Sequence, residues 1–292
     1  MPPEPEHPYT ILDVFTKAPL AGNALAVFTA GEAVPSRLML PAARELHLSE
    51  TVFVLPGDDE SDATVRIFTP HAELPFAGHP VLGAAFVVGD AMDLATVRLR
   101  TSAGIVPVKL TREHGEVVYG EMEQPLPTVR EFEREQELLV ALGASRPVLP
   151  LEIYRNGPTH VMVGLADAEQ LAELEPDMAA LAKLGPIGID CFAPADPAAE
   201  DGEHIRVMCR VFSPGTGIPE DPATGSAAGP LALHLARHGW YTPGNTLTIS
   251  QGVEIQRPSE LIARIDGTPQ QPTRISVGGS AVVVAQGHFR LA

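Results

Sequence analysis

Two stretches of this sequence share one pattern: Arg66-Ile-Phe-Thr-Pro-His-Ala-Glu-Leu-Pro-Phe-Ala-Gly-His-Pro80 and Arg210-Val-Phe-Ser-Pro-Gly-Thr-Gly-Ile-Pro-Glu-Asp-Pro-Ala-Thr-Gly-Ser-Ala227. Each starts with arginine, an aliphatic residue and phenylalanine, and each then reads E-x-P-x-x-G before a segment of small residues. The glutamates, prolines and glycines of the two copies are each 147 positions apart, about half of the 292 residues. A repeat of this length predicts two copies of one half-fold.

The small-residue segments after Gly78 and Gly225 predict helices. If the two halves pack face to face, the two glycine turns meet across a cleft, and each presents the N-terminus of a helix. The backbone N–H groups there and the helix dipole favour negative charge. We therefore expect the amides after Gly78 and Gly225 to bind an anionic substrate, most simply a carboxylate.

Composition excludes several classes of protein. Asp and Glu outnumber Lys and Arg by 37 to 20, a net charge of −17, which argues against binding to nucleic acid or to anionic membrane surfaces. No apolar run reaches the roughly 18 residues of a membrane span. The two cysteines, Cys191 and Cys209, have no metal or redox spacing. We therefore expect a cytoplasmic protein with reduced thiols.

The pattern of segments predicts an α+β fold. Short Val-, Ile- and Phe-rich segments bounded by Pro, Gly and Asp indicate many strands. Residues 79–89 and 226–238 are apolar nearly all round, as in helices enclosed by a sheet. A helix is also expected over residues 36–47, with Pro41 in its first turns or dividing it, and a charged helix over residues 130–142. We expect two pseudo-symmetric halves, each a curved, barrel-like, mostly antiparallel sheet around a central helix.

The expected domains follow from the same pattern. Residues 1–8 are acidic and proline-rich and are predicted to form a flexible tail. Residues 9–126 form the first half, and the C-terminal strands are candidates for returning to it. Residues 127–292 form the second half.

Glu50 is the first candidate for chemistry. It lies in Ser49-Glu-Thr-Val-Phe-Val54, where a polar loop becomes an apolar strand. A carboxylate at the start of a buried strand can be partly desolvated and can serve as a proton carrier. The alternative is a linker acid in solvent.

His79 and Ser226 follow the two glycines. His79 can donate a hydrogen bond to an anion or shuttle a proton, or it can cap its helix. Ser226 takes the place of His79 in the second copy and can cap the helix or bind substrate. Asp221 precedes a proline, so it is either a turn residue or an acid that orients His79 across the cleft.

Metal and nucleotide sites are not expected. His71, Glu73 and His79 have no helical ligand spacing, and no phosphate loop or dinucleotide fingerprint is present. Glu73 and Glu220 recur in both copies, and we interpret them as structural acids near helix N-termini.

Four motifs together resemble the PhzF family of phenazine-biosynthesis-like isomerases, in the same order along nearly the whole chain: 21–28, 49–54, 68–80 and 220–230. The resemblance implies the diaminopimelate epimerase fold with the active site between the halves. The family's proton-shuttling glutamate matches Glu50, and its site histidine matches His79. Its aspartate and serine match Asp221 and Ser226. The family's usual G-N-P is Gly-Asn-Ala here, and its Asn23 joins Gly78, Gly225 and Ser226 as a predicted substrate-binding residue.

The resemblance also separates this chain from racemases and epimerases of the same fold, which use two thiols. Ala77 and Thr224 stand where those thiols would be, so two-thiol racemisation is excluded. The threonine that often follows G-H-P is Val81 here, which changes the polarity beside the site.

The implied function is a cofactor-independent isomerase that works as a homodimer. It would move a proton within a small cyclic unsaturated carboxylate like trans-2,3-dihydro-3-hydroxyanthranilate, with Glu50 as general acid and base and with His79 and Asp221 assisting. Two alternatives remain open at this point. One is a protein that binds a metabolite without turnover, and the other is a racemase-like or lyase-like enzyme acting on an unrelated small carboxylic acid.

Overall fold

The computed structural model describes residues 6–144, 146–195 and 204–291. Within these residues the chain forms 18 strands and six α-helices. The strands are β1 (Glu6–Val14), β2 (Asn23–Phe28), β3 (Glu50–Asp58), β4 (Ser61–Phe68), β5 (Glu73–Leu74), β6 (Thr96–Thr101), β7 (Gly104–Glu113), β8 (Glu116–Gln124), β9 (Thr128–Glu131), β10 (Glu152–Arg155), β11 (Thr159–Gly164), β12 (Gly188–Pro194), β13 (His204–Ser213), β14 (Ile218–Asp221), β15 (Thr246–Gln251), β16 (Ser259–Gly267), β17 (Pro272–Gly279) and β18 (Ala281–Arg290). The helices are α1 (Ser36–Leu46), α2 (Gly78–Met92), α3 (Glu135–Leu142), α4 (Ala168–Ala172), α5 (Met178–Ala182) and α6 (Gly225–Arg237).

The chain divides into two compact units. Unit 1 comprises the residues up to Glu123 together with those from Gly278 onward, and unit 2 comprises Gln124–Val277. The last strand, β18, belongs to unit 1 because it pairs antiparallel with β1, from Glu6 opposite Arg290 to Val14 opposite Ala281.

The N-terminal tail was predicted to extend too far. Residues 6–8 belong to β1, where His7 is buried, and residues 1–5 lie outside the described residues. The prediction was wrong for residues 6–8 because local composition does not reveal a pairing partner at the other end of the chain. That partner, β18, supplies the backbone hydrogen bonds that a strand needs.

The sheet of unit 1 combines antiparallel pairs with two parallel crossovers. Strand β2 pairs antiparallel with β1 and parallel with β3, and β3 pairs antiparallel with β4. Strand β4 pairs parallel with β6, which is antiparallel to β7, and β7 is antiparallel to β8. Helix α2 lies in the crossover from β5 to β6 and contacts β1, β2, β3, β4, β6 and β7. The sheet therefore curves around this helix.

Unit 2 repeats this scheme strand by strand. Strand β11 pairs antiparallel with β10 and parallel with β12, and β12 pairs antiparallel with β13. Strand β13 pairs parallel with β15, which is antiparallel to β16. Helix α6 contacts β10, β11, β12 and β16. The predicted α+β fold of two similar halves, each a mostly antiparallel sheet around a central helix, is confirmed.

The central helices are buried because their residues are apolar on every side. In α2 the residues from Gly78 to Gly89 are buried except Val87, which is partly exposed, and the last three residues of the helix are exposed. In α6 every residue from Gly225 to Ala236 is buried. Fully burying one leucine such as Leu82 stabilises the fold by about 1.5–3 kcal/mol. Burial on all sides thus fixes each helix within its sheet.

Two local predictions had different outcomes. Helix α1 forms over Ser36–Leu46 and continues through Pro41 without dividing. The helix expected over residues 130–142 begins only at Glu135, because residues 128–131 form β9 and pair with β10.

No helix in the described parts of the chain has the length and apolar character that crossing a membrane requires.

Candidate active site

Glu50 is the first residue of β3 and is buried, with 7% of its surface exposed. The parallel register places it opposite Leu25 of β2. The interpretation as a linker acid in solvent is therefore wrong. The pairing of β2 with β3 draws the carboxylate into unit 1, next to the N-terminus of α2.

His79, the second residue of α2, contacts Glu50. Its Nε2 lies 3.2 Å from Glu50 Oε2, and its Nδ1 lies 3.2 Å from the side-chain nitrogen of Asn23. The N-cap residue is Ala77, and no side chain caps this helix. His79 is therefore not a capping residue but the centre of a trio with Asn23 and Glu50.

The surroundings of His79 determine its charge and which ring nitrogen carries the proton. Burial lowers the pKa of His79 to about 3, so the ring is neutral near pH 7. The geometry agrees with a neutral ring. The Asn23 side-chain NH₂ donates to Nδ1, which must then carry a lone pair. The single ring proton therefore lies on Nε2, the nitrogen that is 3.2 Å from Glu50 Oε2.

Gly22 makes the position of Asn23 possible. Its φ of +65° lies in the left-handed region, and a Cβ there would be 2.4 Å from the carbonyl oxygen of Val14. Only glycine fits this turn without strain. The turn starts β2 at Asn23 and directs its side chain to His79.

In unit 2, Asp221 ends β14 and is buried. Its Oδ2 accepts a hydrogen bond from Thr224 Oγ1 at 2.6 Å, and its backbone oxygen accepts one from Gln251 Nε2 at 2.7 Å. These contacts hold the turn that leads into α6. That Asp221 orients His79 stays a prediction.

Gly225 and Ser226 open α6, which has no side-chain cap. The backbone oxygen of Gly225 accepts a hydrogen bond from Gln124 Nε2 at 2.7 Å, and that of Ser226 accepts one from Asn156 Nδ2 at 2.9 Å. Two amide side chains thus secure the first turn of the helix. The Ser226 hydroxyl does not cap it.

The Ser226 hydroxyl instead contacts His160, which in turn contacts Asp190, and the sequence did not single out either residue. Its Oγ lies 3.2 Å from His160 Nε2, and His160 Nδ1 lies 3.1 Å from Asp190 Oδ2. His160 is in β11 and Asp190 in β12, and all three residues are buried. The available signal was a histidine in one and an aspartate in the other of two strands that are otherwise mostly apolar.

The recurring glutamates pair with the recurring arginines. Arg66 contacts both carboxylate oxygens of Glu73, at 2.8 and 2.7 Å, and Arg210 contacts both of Glu220, at 3.0 and 2.9 Å. Each arginine also lies over the phenylalanine two residues later. The structural role of these acids comes from ion pairing with the first residue of the motif.

Neither cysteine is placed for acid–base chemistry. Cys191 is in β12 and Cys209 in β13, and both are buried. Burial raises the pKa of each thiol. The helix N-caps where thiols would be needed are Ala77 and Thr224.

One further group in unit 2 has the residue types of a metal site. Glu152, His234 and His238 approach one another, but Glu152 also accepts hydrogen bonds from Tyr154 Oη at 2.6 Å and from Arg237 Nη2 at 3.0 Å. Burial alone would raise the pKa of Glu152, but the hydrogen bonds with His234, Arg237, Tyr154 and His238 outweigh it and lower this pKa. This is a hydrogen-bonded ion pair that ties α6 to β10.

Known proteins resemble the chain over nearly its whole length. A family model described as phenazine biosynthesis-like protein matches residues 12–287. The trans-2,3-dihydro-3-hydroxyanthranilate isomerase of Pseudomonas chlororaphis is 47% identical over 281 residues, which cover 96% of this chain and 98% of the relative. The protein of the same name from Pseudomonas aeruginosa is 46% identical over 285 residues, covering 98% and 100%.

Solved structures share the fold. A PhzF-family phenazine biosynthesis protein from Bacillus anthracis has a TM-score of 0.84 at 23% identity, over 98% of this chain and 100% of that one. A hydroxyproline epimerase from Agrobacterium vitis has a TM-score of 0.66 at 14% identity, over 98% and 93%. The epimerase-like fold is therefore common to all three. By its sequence relatives, the chain is an isomerase and belongs to the phenazine biosynthesis-like family.

Proposed function

We propose that this isomerase moves a proton within a small cyclic unsaturated carboxylate, and that its substrate is trans-2,3-dihydro-3-hydroxyanthranilate or a close analogue. The names of the Pseudomonas relatives support this substrate class. The observation that carries the chemistry is the buried contact between Glu50 and a neutral His79 at the start of α2.

Glu50 is the proposed general base and acid. Its carboxylate takes a proton from a ring carbon that the conjugated diene activates, and the resulting carboxylic acid returns the proton to another ring carbon on the same face. The C–H bond lost and the C–H bond formed balance, so the reaction needs neither an oxidant nor a cofactor. The His79 ring, with Nε2 3.2 Å from Glu50 Oε2, is proposed to stabilise the carboxylate, and the Asn23 amide keeps the ring proton on Nε2.

The other predicted site residues are proposed to bind the substrate. The backbone amides after Gly78 and Gly225 suit a carboxylate, since the first N–H groups of a helix have no partner within it. Ser226 is a proposed hydrogen-bond partner, and Asp221 is proposed to assist proton transfer.

The test is proton NMR in D₂O with trans-2,3-dihydro-3-hydroxyanthranilate. We expect wild type to form the isomer and Glu50→Gln to lose about 10²–10⁴-fold in rate while remaining folded, the range for general acid–base catalysis. The matched control is Glu45→Gln, because Glu45 is exposed on α1 only five positions away. The control should keep the wild-type rate.

The isotope pattern sharpens the test. Deuterium at the newly protonated carbon shows that the proton on Glu50 exchanges with solvent before it returns. Wild-type rates in Glu50→Gln would refute Glu50 as the base. Solvent exchange into the substrate without net product would point to a related acid–base enzyme with a different substrate.

We further propose that the protein works as a cytoplasmic homodimer without a bound metal. Light scattering coupled to size exclusion measures the mass in solution, and one of about 31 kDa would contradict the dimer. Activity that disappears with EDTA and returns with a divalent ion would contradict metal independence.

A further inference from the structure

Unit 2 contains a trio of polar residues at the positions that Asn23, Glu50 and His79 occupy in unit 1. Asn23 lies two residues before Leu25, which is opposite Glu50 in the parallel pair β2–β3. His160 lies two residues before Met162, which is opposite Asp190 in the parallel pair β11–β12. His79 and Ser226 each follow the glycine that begins the central helix.

The second trio has a different order of contacts. In unit 1 the imidazole is on the helix and contacts the carboxylate directly. In unit 2 the imidazole is on the strand and lies between Asp190 and the Ser226 hydroxyl. The carboxylate contacts Nδ1 of the imidazole, and Nε2 of the same ring contacts the hydroxyl. This is the arrangement in which an acid orients a histidine toward a serine.

Gly188 makes room for this arrangement. It is the first residue of β12 and lies opposite His160 in the parallel register. A Cβ at Gly188 would lie 2.5 Å from His160 Nδ1, the atom that contacts Asp190. A side chain at this position would push the ring out of line.

The burial of Asp190 determines which nitrogen of His160 carries the ring proton. Its side chain is fully buried, and among the described residues its Oδ1 has no hydrogen-bond partner, so Oδ2 has the imidazole as its polar contact. A buried carboxylate favours a donor at the atom that faces it. Asp190 therefore holds the His160 proton on Nδ1 and leaves a lone pair on Nε2.

We propose that His160 and Asp190 are positioning residues for Ser226. His160 Nε2 accepts a hydrogen bond from the Ser226 hydroxyl, so the lone pairs of Oγ are directed to a donor group on the substrate. This role rests on the proposed function of the site. A ligand that carries an amino or hydroxyl group next to its carboxylate fits such an acceptor beside the first amides of α6. The pair is thus a determinant of substrate specificity and does not itself touch the reacting atoms.

The first experiment reads the tautomer in the free protein. Nitrogen-15 NMR of labelled wild type should show a His160 ring protonated on Nδ1, with Nε2 as the acceptor. His160→Gln assigns this signal by its disappearance. A ring protonated on Nε2, or on both nitrogens at pH 7, would overturn the proposal.

The second experiment is a double-mutant cycle between His160→Gln and Ser226→Ala. Losing one oriented hydrogen bond to the substrate should raise KM about 3- to 10-fold with kcat nearly unchanged. If His160 acts through Ser226, His160→Gln should have no further effect in Ser226→Ala. Additive losses, or a fall in kcat alone, would assign His160 a general structural role and refute the proposal.

Two controls complete the design. His71→Gln removes an exposed histidine in unit 1 and should leave KM unchanged. Gly188→Ala keeps all three polar residues but displaces the ring, and it should raise KM as His160→Gln does. If wild type does not convert the substrate at all, the proposed function fails, and the tautomer measurement still decides the positioning role.

Discussion

The two units place polar residues at the same register positions but give them different exposure. Glu50 keeps 7% of its surface exposed and contacts the imidazole on the helix, whereas Asp190 is fully buried behind the imidazole on the strand. Glutamate is also one methylene longer than aspartate. In the proposed roles, the carboxylate of unit 1 carries a proton and that of unit 2 orients a hydroxyl, although both lie at the same position of the repeated fold.

Replacing the two recurring arginines should give the largest difference in stability between equivalent positions of the two units. Arg210 has a side chain 9% exposed and also donates to the backbone oxygens of Leu171, Ala172 and Leu174, while the Arg66 side chain is 29% exposed. Arg210→Ala should lower the free energy of unfolding by about 3–5 kcal/mol, since it removes a nearly buried ion pair and leaves the Glu220 side chain, 11% exposed, without its partner. Arg66→Ala should cost about 0–1 kcal/mol. Urea denaturation measures both, and equal losses would show that the repeats are energetically alike.

Shortening the carboxylate of unit 1 tests whether reach matters. Glu50→Asp withdraws the acid by one methylene and should lower kcat about 100-fold, because small misplacements of a reacting group cost this much. Asp190→Glu should instead destabilise the fold by about 1–3 kcal/mol through overpacking at a fully buried position. Steady-state kinetics and thermal unfolding separate the two. A large fall in kcat for both variants would contradict the assignment of different roles to Glu50 and Asp190.

The neutral imidazole of unit 1 predicts a pH dependence of stability. The pKa of His79 is about 3 in the folded protein, against about 6.5 in an unfolded chain. Between these values the unfolded state binds the extra proton, so this contribution to stability is present above pH 6.5 and is lost as pH falls toward 3.

At pH 5 the loss should be roughly 2 kcal/mol relative to neutral pH. Urea midpoints between pH 7 and pH 4 should therefore fall more steeply for wild type than for His79→Gln. Parallel curves for the two proteins would mean that His79 is charged in the folded state.

Moderate losses of stability are expected at the two glycines that make room for the trios. Gly22→Ala should cost about 1–3 kcal/mol, because it combines a left-handed φ with a clash against backbone. Gly188→Ala should cost less than Gly22→Ala, since the atom in its way belongs to a side chain that can rotate. Thermal unfolding ranks them, and the reverse order would show that the His160 ring cannot move.

Much of the fold could be predicted from local pattern. The repeated motif, the enclosed apolar helices and the alternation of short strands predicted two similar halves, and the pairings of β1–β8 and β10–β16 follow that scheme. The errors concern residues 6–8 and 130–134, whose structure depends on pairing with β18 or on the short strand β9. Such pairing is set by contacts distant in sequence, which composition does not encode.

The candidate residues divide in the same way. Glu50, His79 and Ser226 stood out because each adjoins a motif, whereas His160 and Asp190 lie inside ordinary apolar strands. Their spacing of 30 positions carries no signal until the parallel pair β11–β12 aligns them. The role of a polar residue in such a strand can be inferred only once its neighbour on the next strand is known.

By itself the sequence determined the repeat, the family and the glycine turns that begin the two central helices, because these depend on residue type and local spacing. Only the tertiary structure decided which atoms meet: His79 Nε2 with Glu50, and His160 between Asp190 and Ser226. The reason is physical. Burial and strand register set the distances and protonation states on which the chemistry depends, and both are properties of the folded chain.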